Sequence, residues 1–116
     1  KQILIIAPHE KRRFPEKCDY ITSPGYIDGP EGRVKASLPV EFPDISVVTD
    51  LAIMKINKSK GILEITHTMP GISVNHVIAN TGFTPLISDN IQIIPVPTKD
   101  ELDLLRNTID PNGVYV

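Results

Sequence analysis

The chain has little of what usually announces a chemistry. One of its 116 residues is cysteine, Cys18. An intrachain disulfide and a cysteine-built metal cage are excluded, which fits a reducing, cytoplasmic setting. No apolar run approaches the ~20 residues of a membrane span. Ile3 to Ala7 is too short for the apolar core of a secretory signal, so no membrane partner is expected. The formal net charge is only -2, which gives no reason to expect nucleic acid. A Walker loop, a GxGxxG turn, a GxSxG elbow and metal-ligand spacing are all missing. Neither a resident metal nor a bound cofactor is therefore expected. The first residue is Lys1 and the chain enters an apolar run almost at once. A natural domain seldom starts one residue before a buried strand, so a piece of a longer polypeptide is expected.

What is present is globular: 41% hydrophobic and 22% charged residues, in a length that builds one domain over residues 1–116 but not two. Ile3 to Ala7 is apolar without alternation, the pattern of a strand covered on both faces in a parallel sheet. Pro8 ends it. Asp19 to Ser23 reads as a second short strand. From Gly25 to Pro43, proline and glycine recur without any sustained period, and a long irregular loop is expected there, with turns at Pro24-Gly25 and Asp28-Gly29. Ile45 to Asn57 reads as one mostly apolar strand with Asp50 inside it. Joined by a short polar loop to alternating Ile62 to Met69, it forms a β-hairpin. Ser73 can cap a short helix to Thr81, with Gly82 as its stop. Two extended runs follow, Phe83 to Ile87 and Ile91 to Val96. Thr98 and Glu101 form a capping box that starts a C-terminal helix with Leu102, Leu105 and Ile109 as its apolar stripe. The class these elements imply is α/β.

The densest ionic cluster is His9, Glu10, Lys11, Arg12 and Arg13, placed directly after the first strand. Ligands commonly meet α/β folds at such junctions. Residue 13 is Arg, so the cluster is not a zinc HExxH helix. Two readings stand. The arginines bind an anion such as phosphate or carboxylate, which a planar guanidinium suits. Alternatively they pair with Glu10, Glu16 and Asp19 and hold a loop or a subunit contact. Charge is skewed the same way. Residues 1–17 carry five basic side chains against two acidic ones, whereas residues 98–116 carry two against four. His67 on the apolar face of its strand reads as a structural histidine with one partner, and His76 as an exposed helix residue. Cys18 has no partner for a catalytic pair. Asp50 inside a buried strand would need a cation or backbone N–H groups.

HEKRRF at 9–14, ITSPGYIDG at 21–29, VVTDLA at 47–52, PGIS at 70–73 and NTGF at 80–83 stand in the order and spacing found in β subunits of class I coenzyme A transferases. The chain resembles in particular the β subunits of the glutaconate CoA-transferase type, and ELDLLRNTIDPNGVYV resembles that family's ending. The resemblance covers nearly all 116 residues and corresponds to the C-terminal half of a β subunit. It implies the C-terminal part of an open, mostly parallel sheet with flanking helices, plus the hairpin and the last helix. It also implies an α subunit as partner, a coenzyme A ester and a carboxylic acid as substrates, and a glutamyl-CoA intermediate. The family's catalytic glutamate lies upstream of the HEKRRF word. None of Glu10, Glu16, Glu31, Glu41, Glu64 or Glu101 inherits that role, and the fragment alone is expected to be inactive. The glycine-rich oxyanion loop is also absent. Where relatives often read His-Pro-Gly, this chain has Met69-Pro70-Gly71. In this frame His9, Glu10, Arg12 and Arg13 line the CoA cleft or lock the contact between subunits. A CoA-ester hydrolase on the same scaffold and a non-catalytic binding or assembly domain are the alternatives. Cut off from its sheet neighbours, the first strand is expected to drive self-association.

Overall fold

The computed structural model describes residues 1–27, 29–41 and 43–114. Asp28 of the expected turn and the last two residues of the C-terminal motif lie outside them. Five strands form one sheet: β1 (Gln2–Ile6), β2 (Asp44–Val48), β3 (Ala52–Asn57), β4 (Ile62–Thr68) and β5 (Leu86–Ile93). Their spatial order is their chain order. β1–β2 and β4–β5 are parallel, while β2–β3 and β3–β4 are antiparallel. The α/β class stands, with a mixed sheet in place of the mostly parallel one expected. The reason is local. The apolar run 45–57 is not one strand but two, folded back on themselves at Thr49-Asp50-Leu51. Thr49 Oγ1 accepts the N–H groups of Leu51 (3.2 Å) and Ala52 (2.9 Å), a side-chain turn that apolar periodicity does not register.

Asp50 therefore sits in an exposed turn and not in a buried strand. Tyr20 and Ile21, in the segment expected to be a second strand, are exposed, and no strand forms there. The irregular loop contains one short helix, α1 (Gly32–Lys35). Arg33 is buried there and donates to the carbonyls of Pro39 (2.8 Å) and Gly25 (2.7 Å), holding the loop together from inside. The parallel pair β4–β5 is joined by α2 (Val74–Ala79), whose cap Ser73 accepts the His76 N–H. The two extended runs expected after it are the arms of β5. Its register against β4 jumps from Ile87 to Gln92.

The core lies in the middle of the sheet. Ile5, Val47, Met54, Ile65 and Ile87 form one row across all five strands. Val47 is 6% exposed, and Met54 and Ile65 are fully buried, but Ile5 and Ile87 at the ends are 44% and 51% exposed. Phe14 and Val77 cover the centre of this row. The capping box of α3 (Lys99–Leu104) is formed as expected, with Glu101 accepting the Thr98 N–H at 2.8 Å. A π-helical turn, Leu105–Ile109, continues it. Leu104 and Ile109 remain exposed. The radius of gyration is 16.4 Å, against about 13 Å for a compact domain of this length.

Candidate functional site

β1 and β2 run parallel, and their carboxyl ends open on a cavity of about 420 Å³ lined by Ile6, Ala7, Pro8, Val48, Thr49 and Asp50. The charged cluster follows at once. Lys11–Arg13 form a single 3-10 turn that ends on Phe14. The turn presents its cations outward. The Arg12 and Arg13 side chains are 76% and 46% exposed. Glu10 joins them, at 2.6 Å from Arg12 Nε and 3.4 Å from Arg13 Nε. The hydrogen bond from Arg12 holds the Glu10 carboxyl below the usual carboxylate range and raises Arg12 in return. All three groups are solvated, so this clamp orients side chains more than it stabilises the fold.

His9 is different. It is 5% exposed, and both its ring nitrogens are engaged: Nδ1 with Thr49 Oγ1 and Nε2 with Thr81 Oγ1, each at 3.0 Å. Its backbone N–H donates to Asp50 Oδ1 at 2.7 Å, and its ring stacks on Phe14 with centroids 4.7 Å apart. Of the four sequence-predicted residues, three gather on the surface and the fourth anchors them from beneath.

Thr49, Thr81 and Gly82 are the residues that sequence reasoning missed. Three of the five words that carried the resemblance meet here, through His9 and Phe14 of the first, Thr49 and Asp50 of the third, and Thr81 and Gly82 of the last. Their separations of 40 and 72 residues conceal the contact in the sequence. Gly82 is not the helix stop it was expected to be. Its N–H donates to the Phe14 carbonyl at 2.8 Å, and a Cβ at this position would lie 2.5 Å from that oxygen. The glycine serves a close approach of two backbones. His67 is half-buried with Thr66 Oγ1 at 2.9 Å, and His76 lies on the exposed side of α2, both as expected. Cys18 is exposed and free. Among the described residues no cluster of His, Cys, Asp or Glu is placed to hold a metal ion, and no helix is long and apolar enough to cross a membrane.

The coenzyme A transferase family profile matches residues 1–80. This chain belongs to the coenzyme A transferase family. It is 37% identical over 113 residues to the β subunit of glutaconate CoA-transferase from Acidaminococcus fermentans, covering 97% of this chain and 42% of that protein. It is 33% identical over 106 residues to the β subunit of 3-oxoadipate CoA-transferase from Pseudomonas knackmussii, covering 91% and 40%. The crystal structure of the A. fermentans glutaconate enzyme superposes with a TM-score of 0.85 at 38% identity, over 97% of this chain and 43% of that one. The decarboxylase AibA/AibB shares the fold at a TM-score of 0.65 and 18% identity, over 96% and 39%. The chain thus spans about two-fifths of the length of the curated relatives it matches.

A pH dependence follows from His9. Burial pushes its imidazole below the ordinary 6.5; Asp50 opposes this and His76 adds to it. The unfolded chain then takes up this proton first as pH falls, so stability is full above about 6.5 and declines below it until the folded group also titrates. The urea midpoint of the chain is expected to drop between about pH 7.5 and about pH 5. His9→Gln should flatten that part of the profile. An unchanged slope in the variant would remove His9 as its source.

Proposed function

We propose that this chain is the C-terminal part of the β subunit of a cytoplasmic acyl-CoA:carboxylate CoA-transferase of the glutaconate type, working with an α subunit. The observation that carries this reading is the identity to a CoA-transferase β subunit along 97% of the chain. Coenzyme A ester and carboxylic acid are its substrates, and the chemistry is ping-pong covalent catalysis. A glutamate carboxylate outside residues 1–116 attacks the thioester carbonyl. CoA thiolate leaves and a mixed anhydride forms. The thiolate then attacks the glutamyl carbonyl, releasing the first acid and leaving a glutamyl-CoA thioester. The second acid reverses these steps and departs as its CoA ester, and the glutamate is regenerated. The thioester energy is kept because each intermediate is itself an activated acyl group.

The part assigned to this chain is binding and assembly. Arg12 and Arg13, held side by side by Glu10, face either the phosphate groups of CoA or an acidic patch of the α subunit. The piece alone, without a nucleophile, is inactive. The assembled enzyme with an acyl-CoA should be inactivated by hydroxylamine or borohydride only when the ester is present. Absence of ester-dependent inactivation would sink the glutamyl-CoA mechanism. In the same enzyme, Arg12→Ala with Arg13→Ala should raise KM for acyl-CoA, or the concentration needed for assembly, by about tenfold or more, with the rate of glutamyl-CoA formation at saturation retained. Unchanged affinity and assembly would exclude these arginines from both roles.

A further inference from the structure

The protonation of His9 can be read from its partners. A threonine hydroxyl has one proton to give and two lone pairs to fill. Thr81 Oγ1 gives its proton to the Val77 carbonyl at 2.8 Å, so it meets His9 Nε2 as an acceptor and Nε2 carries a hydrogen. Thr49 Oγ1 already accepts two N–H groups, from Leu51 and Ala52, which fill its lone pairs. Its proton has two neighbours, His9 Nδ1 at 3.0 Å and the Ala52 carbonyl at 2.9 Å. The carbonyl also receives the Thr49 N–H at 2.9 Å and has a second lone pair, so it and Nδ1 share the hydroxyl proton. With both lone pairs of Thr49 Oγ1 filled, Nδ1 has no acceptor there and carries no hydrogen. The result is one chain of contacts, Thr49 to His9 to Thr81 to Val77, satisfied by a neutral imidazole protonated at Nε2.

This chain of bonds fastens residues 9–14 at both ends. At the start, His9 is tied to the β2–β3 turn and to the end of α2. At the finish, the Phe14 ring lies on the imidazole and its carbonyl accepts from Gly82. Glu10 to Arg13 bridge these two fixed points. We infer that His9 is a positioning residue for the Lys11–Arg13 turn: as a neutral, Nε2-protonated imidazole it fixes the turn on the sheet and sets where the Arg12 and Arg13 guanidinium groups point, without touching the anion they bind. That this anion is part of a coenzyme A ester rests on the function proposed above; the clamp itself does not.

Nitrogen chemical shifts of the 116-residue chain test the first half. Nε2 protonated and Nδ1 bare at neutral pH is the expected pattern. An imidazolium, or the Nδ1–H tautomer, would overturn it. The second half is tested in the assembled enzyme with His9→Phe, which keeps the ring on Phe14 and loses both threonine bonds. KM for acyl-CoA should rise about tenfold with kcat held within about twofold. His9→Gln, which can still donate to Thr81, should recover most of the loss. Adding Arg12→Ala to His9→Phe should cost much less than the sum of the two, because one acts through the other. Strict additivity, or a fall in kcat at constant KM, would refute the positioning role. If His9→Phe does not fold, Thr81→Val, which removes the Nε2 and Val77 bonds of one hydroxyl and leaves the Thr49 contact in place, takes its place in the same cycle. If the enzyme shows no acyl-CoA turnover at all, the functional reading fails and the clamp is judged on the chain alone. There, Thr81→Val should shift the backbone amides of Lys11 to Phe14, and unshifted amides would discard the clamp.

Discussion

The isolated 116-residue chain is expected to self-associate, and two glutamates on β1 are expected to make it a monomer. β1 is an edge strand, bonded to β2 on one side only. Its sequence is that of a strand covered on both faces, yet Leu4 is 60% and Ile6 77% exposed. The accessible surface of the chain is 8552 Å² at 12.8 kDa, where a compact protein of that mass shows about 6,300 Å². The difference is as large as a substantial protein–protein interface. Unpaired strand edges with apolar side chains pair with whatever edge they meet. Leu4→Glu with Ile6→Glu places two charges on one face of this edge and moves the net charge further from zero. Light scattering at about 100 micromolar should report a dimer or larger species for the original chain and a monomer for the variant. A monomeric original chain would show that the edge is not sticky.

The second large effect is expected in the core. Met54 is fully buried at the centre of the Val47–Met54–Ile65 row. Truncating such a side chain costs about 2–5 kcal/mol, against a total of about 5–15 kcal/mol for a typical domain. Few apolar side chains are fully covered here, so there is little else to absorb the loss. Met54→Ala should abolish the cooperative urea transition or shift it sharply down, followed by circular dichroism. Met54→Leu, nearly equal in volume, should stay within about 1.5 kcal/mol of the original. Ile21→Ala, at an exposed position, should change stability by no more than about 0.5 kcal/mol. Equal effects of Met54→Ala and Ile21→Ala would mean that the core has been misplaced.

The elements that local chemistry specifies were legible. β1 followed from its unbroken apolar run and Pro8, the β3–β4 hairpin from alternation in its second strand, α2 from Ser73, and α3 from the Thr98–Glu101 box. What escaped depended on partners elsewhere in the chain. The turn at Thr49 reads as strand because Val47, Val48, Leu51 and Ala52 are all apolar, and one hydroxyl decides the fold-back. Residues 19–23 look like a strand, but no neighbouring strand pairs with them, and a strand has no existence without one. Gly82 looks like a helix stop, and only the nearness of the Phe14 carbonyl gives its real reason.

For the candidate site the division is similar. By itself the sequence determined the family, through five short words in register, and the charged character of the turn after β1. It could not determine that His9 is buried, Glu10 half-buried and Arg12 and Arg13 exposed, because the five adjacent polar residues from His9 to Arg13 look alike until the backbone turns each a different way. Nor could it show that His9, Thr49 and Thr81 form one hydrogen-bonded chain. Those residues share no local pattern. Only the tertiary structure, by laying the β2–β3 turn and the end of α2 against the same imidazole, gives the histidine two partners and removes its reason to be charged.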